Sequence, residues 1–237
     1  MPRTEVLIQE GTRPRPGVSR RLGRSLARTA LALAAVLVVV AQSATLGAVY
    51  HVLSRLAYVG FVGWLLRSRK GREVEPRRAR ERAFTQFRSV ASVLMENDAF
   101  SFGALVLVTL ESFDPLLPAL GVRAIGLALI ALGVGTKAWA ARTLGAKAYY
   151  WHDFFVPPET SAGRAVGPYR WLRNPMYTVG YAHAYGVALF FLSWPGLLAA
   201  LFDQAAMLAF HGLIERPHVN ELYGRGVPKV DRTTGAE

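Results

Sequence analysis

The chain has 237 residues, 52% of them hydrophobic, a formal net charge of +12 and a mean hydropathy of +0.24. Soluble domains rarely join that apolarity to that charge, and here long apolar runs alternate with short basic stretches, so the basic excess reads as loops beside anionic headgroups rather than as a nucleic-acid surface. With no cysteine, disulfides, thiolate catalysis and cysteine–zinc sites are excluded, and no metal is expected.

In chain order, residues 1–25 form a disordered basic arm containing Thr12-Arg13-Pro14-Arg15-Pro16-Gly17. Residues 26–141 hold the N-terminal membrane helices. The first span runs from about Thr29 to Ala48 and the second from Val49 to Leu66, interrupted by His51 and Arg55. A basic leader, an apolar core and Ala41-Gln42-Ser43 also fit a cleaved signal peptide. The stretch Arg67–Arg88 reads either as an amphipathic interfacial helix, with Ala83, Phe84 and Phe87 towards lipid, or as a solvated basic loop. A short third span covers Phe100–Phe113, or starts nearer Val90, and a fourth covers Leu120–Ala141. Residues 142–237 form a C-terminal region with a fifth span at Met176–Ser193 and a sixth at Gly196–Ile214.

Charge supports this division. The stretches 1–28, 67–88, 142–174 and 215–237 carry 25 of the 28 Lys and Arg residues, and six spans put all four on one side. The connections Asp114–Pro118 and Ser193–Gly196 have none. The expectation is an all-α polytopic bundle of about six transmembrane helices with both termini cytoplasmic. The Ala/Arg/Gly-rich composition points to the plasma membrane of a bacterium.

The chemistry-bearing residues gather near the C-terminus. Tyr149-Tyr150-Trp151-His152-Asp153-Phe154-Phe155 suits an interfacial aromatic belt or a lid over a lipid-accessible site. Within it, His152 and Asp153 are either a solvated pair or a proton-transfer pair. Gly167-Pro168-Tyr169 is a turn. Asn174 and Pro175 have the residue types of a helix N-cap and first turn, and such a start favours an anion. Tyr177, Tyr181 and Tyr185 recur every four residues, as do Asp203, Met207, His211 and Glu215. Asp203 needs a partner at lipid depth, with His183 or a tyrosine of span five expected. Glu215, at a helix C-terminus, needs a cation or a donor.

At these residues the chain resembles the isoprenylcysteine carboxyl methyltransferase and phospholipid N-methyltransferase superfamily. Its first motif is matched by Gly167-Pro168-Tyr169-Arg170 with Arg173-Asn174-Pro175-Met176-Tyr177 and Gly180, its second by Glu215-Arg216-Pro217-His218-Val219. Leu144-Gly145 ahead of the aromatic run also matches. Arg216 stands where the family has a second glutamate, and the tail after Leu222 is shorter. The resemblance implies a cytoplasmic-side pocket for S-adenosylmethionine. It implies donor contacts from Gly167, Pro168, Tyr169, Arg173, Asn174, Tyr177, Gly180, Glu215 and His218, with His152, Asp153 and Glu215 as catalytic candidates. The expected acceptor is lipid-like: an aminophospholipid headgroup, a prenylated carboxylate or another apolar metabolite. A non-catalytic membrane scaffold that kept the fold is the alternative, and a nicotinamide-dependent membrane reductase a third reading.

Overall fold

A computed structural model describes residues 42–69, 75–156, 166–172 and 174–223, all of which fall in one compact unit. Most of the first expected span, the basic arm, Arg173 and the tail beyond 223 lie outside the described residues.

Helix α1 (Ala44–Ser68) starts at Ser43, whose hydroxyl accepts from the Leu46 amide at 3.1 Å, and ends with Arg67 in its last turn. A side-chain cap at the start and a cation at the end each suit the helix dipole. The break expected at residues 48–49 is absent: the helix passes straight through Gly47, with no proline to end it. Helix α2 (Arg77–Val108) follows Pro76 and joins the basic stretch and the third expected span into one rod. Pro115 and Pro118 separate it from α3 (Ala119–Tyr149), which is kinked at Gly145, where φ is +79°. A 3-10 turn at His152–Phe154 and another at Gly167–Arg170 lead to the short α4 (Ala182–Phe190). Helix α5 (Trp194–Phe210) is capped by the Ser193 hydroxyl, with a proline in its first turn. It continues through a π-helical turn, His211–Glu215, into α6 (Arg216–Tyr223).

Among the described residues, four helices are long and apolar enough to cross a membrane: Ala44–Ser68, Arg77–Val108, Ala119–Phe154 and Trp194–Glu221. The bundle is helical and membrane-type, but the expected count of about six is corrected downwards there. The fifth expected span is not a full helix. Turns occupy 175–178, a 3-10 turn follows at Val179–Tyr181, and α4 has nine residues. The physical reason lies in α5: the Gln204 amide donates to the carbonyls of Tyr177 and Thr178 at 3.1 and 3.4 Å. Those carbonyls need no helical partner.

Burial is inverted relative to a soluble protein. Leu53, Leu56, Trp64, Leu127 and Leu201 are exposed, whereas His51, Arg55, Asp98 and Asp203 are buried. Apolar side chains meet lipid, and polar ones pair inside. Helices α3 and α4 approach through glycine: a Cβ on Gly133 would lie 2.2 Å from the His183 amide nitrogen, and one on Gly186 2.5 Å from the Gly126 carbonyl oxygen. Small residues allow such contact where lipid supplies no hydrophobic drive. Hydrogen bonds add to it, as where the Tyr50 hydroxyl donates to Asn97 Oδ1 at 2.6 Å between α1 and α2. Phe84 and Phe87 are also buried, against the expectation that they face lipid. Phe84 meets His152 edge-on at 4.6 Å between ring centroids, and Phe87 lies 5.0 Å from Phe155. The 3-10 turn after α3 docks on α2 and covers them.

Candidate functional site

The helices line an open cavity of about 1750 Å³. Two polar groups sit on its wall at different levels of the bundle.

The first lies mid-helix. Asp203 Oδ1 accepts from Arg55 Nε at 2.7 Å and lies 3.1 Å from His51 Nε2, while Oδ2 meets Arg55 at 2.7 Å. The same guanidinium reaches Asp98 Oδ2 at 2.7 Å and donates to the Tyr181 hydroxyl at 3.3 Å. His51 Nδ1 is 2.9 Å from Ser101 Oγ. His183, one expected partner of Asp203, instead bonds the Gly180 carbonyl at 2.6 Å. Tyrosine meets the network only through Arg55. The actual partners come from α1, where His51 and Arg55 interrupt the apolar run. Those interruptions were the available signal, since a buried carboxylate calls for a buried cation. His51, Asp98 and Asp203 also have metal-ligand atoms within 4.8 Å of one another, but the guanidinium already occupies the cation's place between the two carboxylates.

The second group stands where α5 ends. The π turn carries Glu215, whose Oε1 accepts from the Tyr177 hydroxyl at 2.7 Å and from the Trp151 indole N–H. Its Oε2 accepts from His211 Nδ1 at 2.7 Å. An ionised carboxylate has about four acceptor positions, so the three donors found among the described residues leave one. Tyr169 lines the cavity too. Burial, and secondarily the Glu215 charge, push its phenol up to about 12, so it stays a neutral hydroxyl in this setting.

The remaining candidates are placed as follows. Gly167 adopts φ +57°, and a Cβ there would lie 2.5 Å from Thr143 Oγ1, so the turn needs glycine on both counts. Pro168 is fully buried beneath it. Asn174 Oδ1 accepts from the Tyr177 amide at 3.3 Å, but no α-helix starts at Pro175, so the expected helix-start anion site is not formed. Asn174 Nδ2 is buried without a hydrogen-bond partner among the described residues, and Asn174 lines the cavity. A Cβ on Gly180 would meet Lys137 Cγ at 2.9 Å. His218 stacks on Phe154 with ring centroids 3.6 Å apart. Arg216 is exposed and lines the cavity. The structure separates His152 from Asp153: His152 turns to Glu81, 3.4 Å away, whereas Asp153 lines the cavity. Tyr177 and Tyr181 line it as well, but Tyr185 donates to Gln204 at 2.7 Å away from it. Arg173 is outside the described residues.

Fold and site together define a polytopic membrane protein with a cavity between its helices. Residues 122–226 match the family described as phospholipid methyltransferase. The chain is 29% identical over 147 residues to a phosphatidylethanolamine N-methyltransferase of Chaetomium globosum, covering 60% of this chain and 15% of the relative. It is 32% identical over 155 residues to the protein of that name from Malassezia globosa, covering 64% and 16%. For the Arthroderma benhamiae protein of that name the values are 35% over 107 residues, 44% and 11%. The chain therefore spans about a sixth or less of the length of these relatives. No solved structure matches it.

Proposed function

We propose that this chain is an integral-membrane methyltransferase that takes its methyl group from S-adenosylmethionine and gives it to the amine of an aminophospholipid. The carrying observation is Glu215: a carboxylate on the cavity wall, held by three neutral or weakly basic donors, with one acceptor position left. Its placement within the family-matched region, and the printed activity of the fungal relatives, support the reading.

The residues suit the donor's chemistry. Asn174 Nδ2, a buried donor without a partner among the described residues, suits a carboxylate. Glu215 suits an ammonium or ribose hydroxyls. The rings of Tyr169 and Tyr177 offer electron-rich faces to a cation. When bound, the donor supplies an electrophilic methyl for in-line displacement. The chain's part is alignment and exclusion of water. An amine acceptor must also lose a proton to react. Asp153 and Glu215 lie on the cavity wall and His152 beside it, so Asp153 and Glu215 are the better-placed acceptors of that proton.

The orientation that fits is the one with the Glu215 end at the cytoplasm, where a soluble donor is available, and it agrees with the basic loops. A bacterial plasma membrane is supported by composition, while the relatives compared above are fungal. The test is transfer of labelled methyl from S-adenosylmethionine into phosphatidylethanolamine by the purified chain in lipid. Labelled mono- or dimethylated lipid is expected. No labelled lipid and no donor binding in calorimetry would end the proposal.

A further inference from the structure

Lys137 is a cation inside a membrane helix, and the reading so far gives it no role. It belongs to α3, and its side chain lines the cavity. Its ammonium stands 4.7 Å from the centre of the Tyr181 ring. Its stem passes over Gly180, where a Cβ would meet Lys137 Cγ at 2.9 Å. Among the described residues it makes no hydrogen bond and no ion pair with a carboxylate. Of the acidic groups on the same wall, Asp203 gives both oxygens to Arg55, and Asp98 gives it Oδ2 while its Oδ1 has no hydrogen-bond partner among the described residues. A lysine held at lipid depth without a carboxylate is disfavoured unless a ligand or water completes it.

Its level in the bundle narrows the ligand. Eighteen residues of helix after Ala119 span about 27 Å at the helical rise, close to the roughly 30 Å of a hydrocarbon layer. Lys137 therefore lies in the half of the bundle towards Glu215, with its ammonium at the depth of Tyr181 and the Arg55 group. On the facing segment, Tyr181 comes one turn after Tyr177, so Lys137 sits just inward of the Glu215 group. An amphiphile entering sideways with its amine towards Tyr177 and Glu215 would carry its next polar group at this depth.

We propose that Lys137 is the anchor for the phosphodiester of the lipid acceptor, and that it sets preference for acceptors whose amine is tethered to a phosphate. This rests on the proposed function for the acceptor class, but the anion site itself stands on the cavity wall alone. The ammonium donates hydrogen bonds to the phosphodiester oxygens, and the Tyr181 face holds the stem in place. The donor's carboxylate offers similar anionic chemistry, and the experiment separates the two.

Wild-type full chain, Lys137→Gln, Lys137→Met and Lys137→Arg are compared in detergent by calorimetry with dihexanoylphosphatidylethanolamine and with S-adenosylhomocysteine. Methyl transfer to phosphatidylethanolamine is then measured in nanodiscs. Lys137→Gln should weaken lipid binding and raise the lipid KM at least tenfold, with kcat and S-adenosylhomocysteine binding changed less than about twofold. Lys137→Arg should recover most of the loss. Lys137→Met, apolar and similar in length, serves if the glutamine variant unfolds. Equal loss of S-adenosylhomocysteine binding in a folded variant assigns the anion to the donor and overturns the proposal. Unchanged lipid binding overturns it as well. Lysine-dependent lipid binding without any methyl transfer by the wild type upholds the anion site and overturns the proposed function instead.

Discussion

Asp203 and Glu215 are two acidic residues of one continuous helical rod, yet their circumstances are opposite. Asp203 is spent: Arg55 takes both its oxygens, His51 adds a contact to one of them, and its side chain is 4% exposed. Glu215 is held by an indole, a phenol and an imidazole, and its side chain keeps 14% exposure on the cavity wall. A guanidinium cancels charge where it stands, whereas neutral donors orient a carboxylate and leave its field for something else. The pairing therefore identifies Asp203 as part of what holds α1, α2 and α5 together, and Glu215 as the carboxylate prepared for a ligand.

Four measurements break or sharpen that contrast. The largest effect is expected from Arg55→Leu, which strands two buried carboxylates. Removing one partner of a buried ion pair costs about 3–5 kcal/mol, so thermal unfolding in detergent should show a much lower midpoint or no folded protein. Adding Asp98→Asn and Asp203→Asn should recover most of the loss, and failure of that rescue would mean that the network is more than charge compensation. Next, Glu215→Gln should unfold within a few degrees of wild type yet bind S-adenosylmethionine roughly ten- to hundredfold more weakly, the cost of about 1.5–3 kcal/mol for a hydrogen bond to a charged group. A collapse in stability instead would make Glu215 another structural carboxylate. Tyr177→Phe removes one donor to Glu215 and leaves the rest, so donor affinity should fall about fivefold, near 1 kcal/mol.

The smallest expected effect is in titration. Tyr169 stays protonated to about pH 12 in the folded chain, whereas an unfolded phenol ionises near pH 10. The unfolded state thus loses its proton first, and this group's contribution to stability falls as pH rises from about 10 to 12. Phenolate absorbance, taken as the difference between wild type and Tyr169→Phe, should give that midpoint. Glu215→Gln should lower it by removing the secondary cause, with burial still holding it above 10. An unmoved midpoint would mean that the Glu215 charge does not reach Tyr169.

The contrast also explains what the sequence could reveal. Hydropathy alone located most of α1, as the second expected span, and much of α3 and α5, because lipid solvation acts on each segment separately. Glu215 and its approach were legible because the motifs are local runs. The partners of Asp203 were not, since they lie about 150 residues away. Even so, 25 of the 28 basic residues fall in four stretches of the sequence, and the three left over are Arg55, Arg123 and Lys137. Two of those line the cavity, so the exceptions to the charge pattern held the missing information. The unwound start of the fifth span was hidden for a related reason. Asn174-Pro175 has the residue types of a helix start, and only Gln204, a residue of another helix, takes the carbonyls that a helix would have used.

The π turn at His211–Glu215 has one more consequence. In an ordinary α-helix, residues four apart creep around the axis, and the twelve residues from Asp203 to Glu215 would accumulate about 120° of rotation, enough to swing the last carboxylate off the side that Asp203 faces. A looser turn winds less per residue and takes back part of that rotation. Asp203, Met207, His211 and Glu215 accordingly all line one cavity. The winding defect acts as a phase correction: regular winding over the same twelve residues would leave the composition of the site intact while turning Glu215 away from Trp151 and Tyr177.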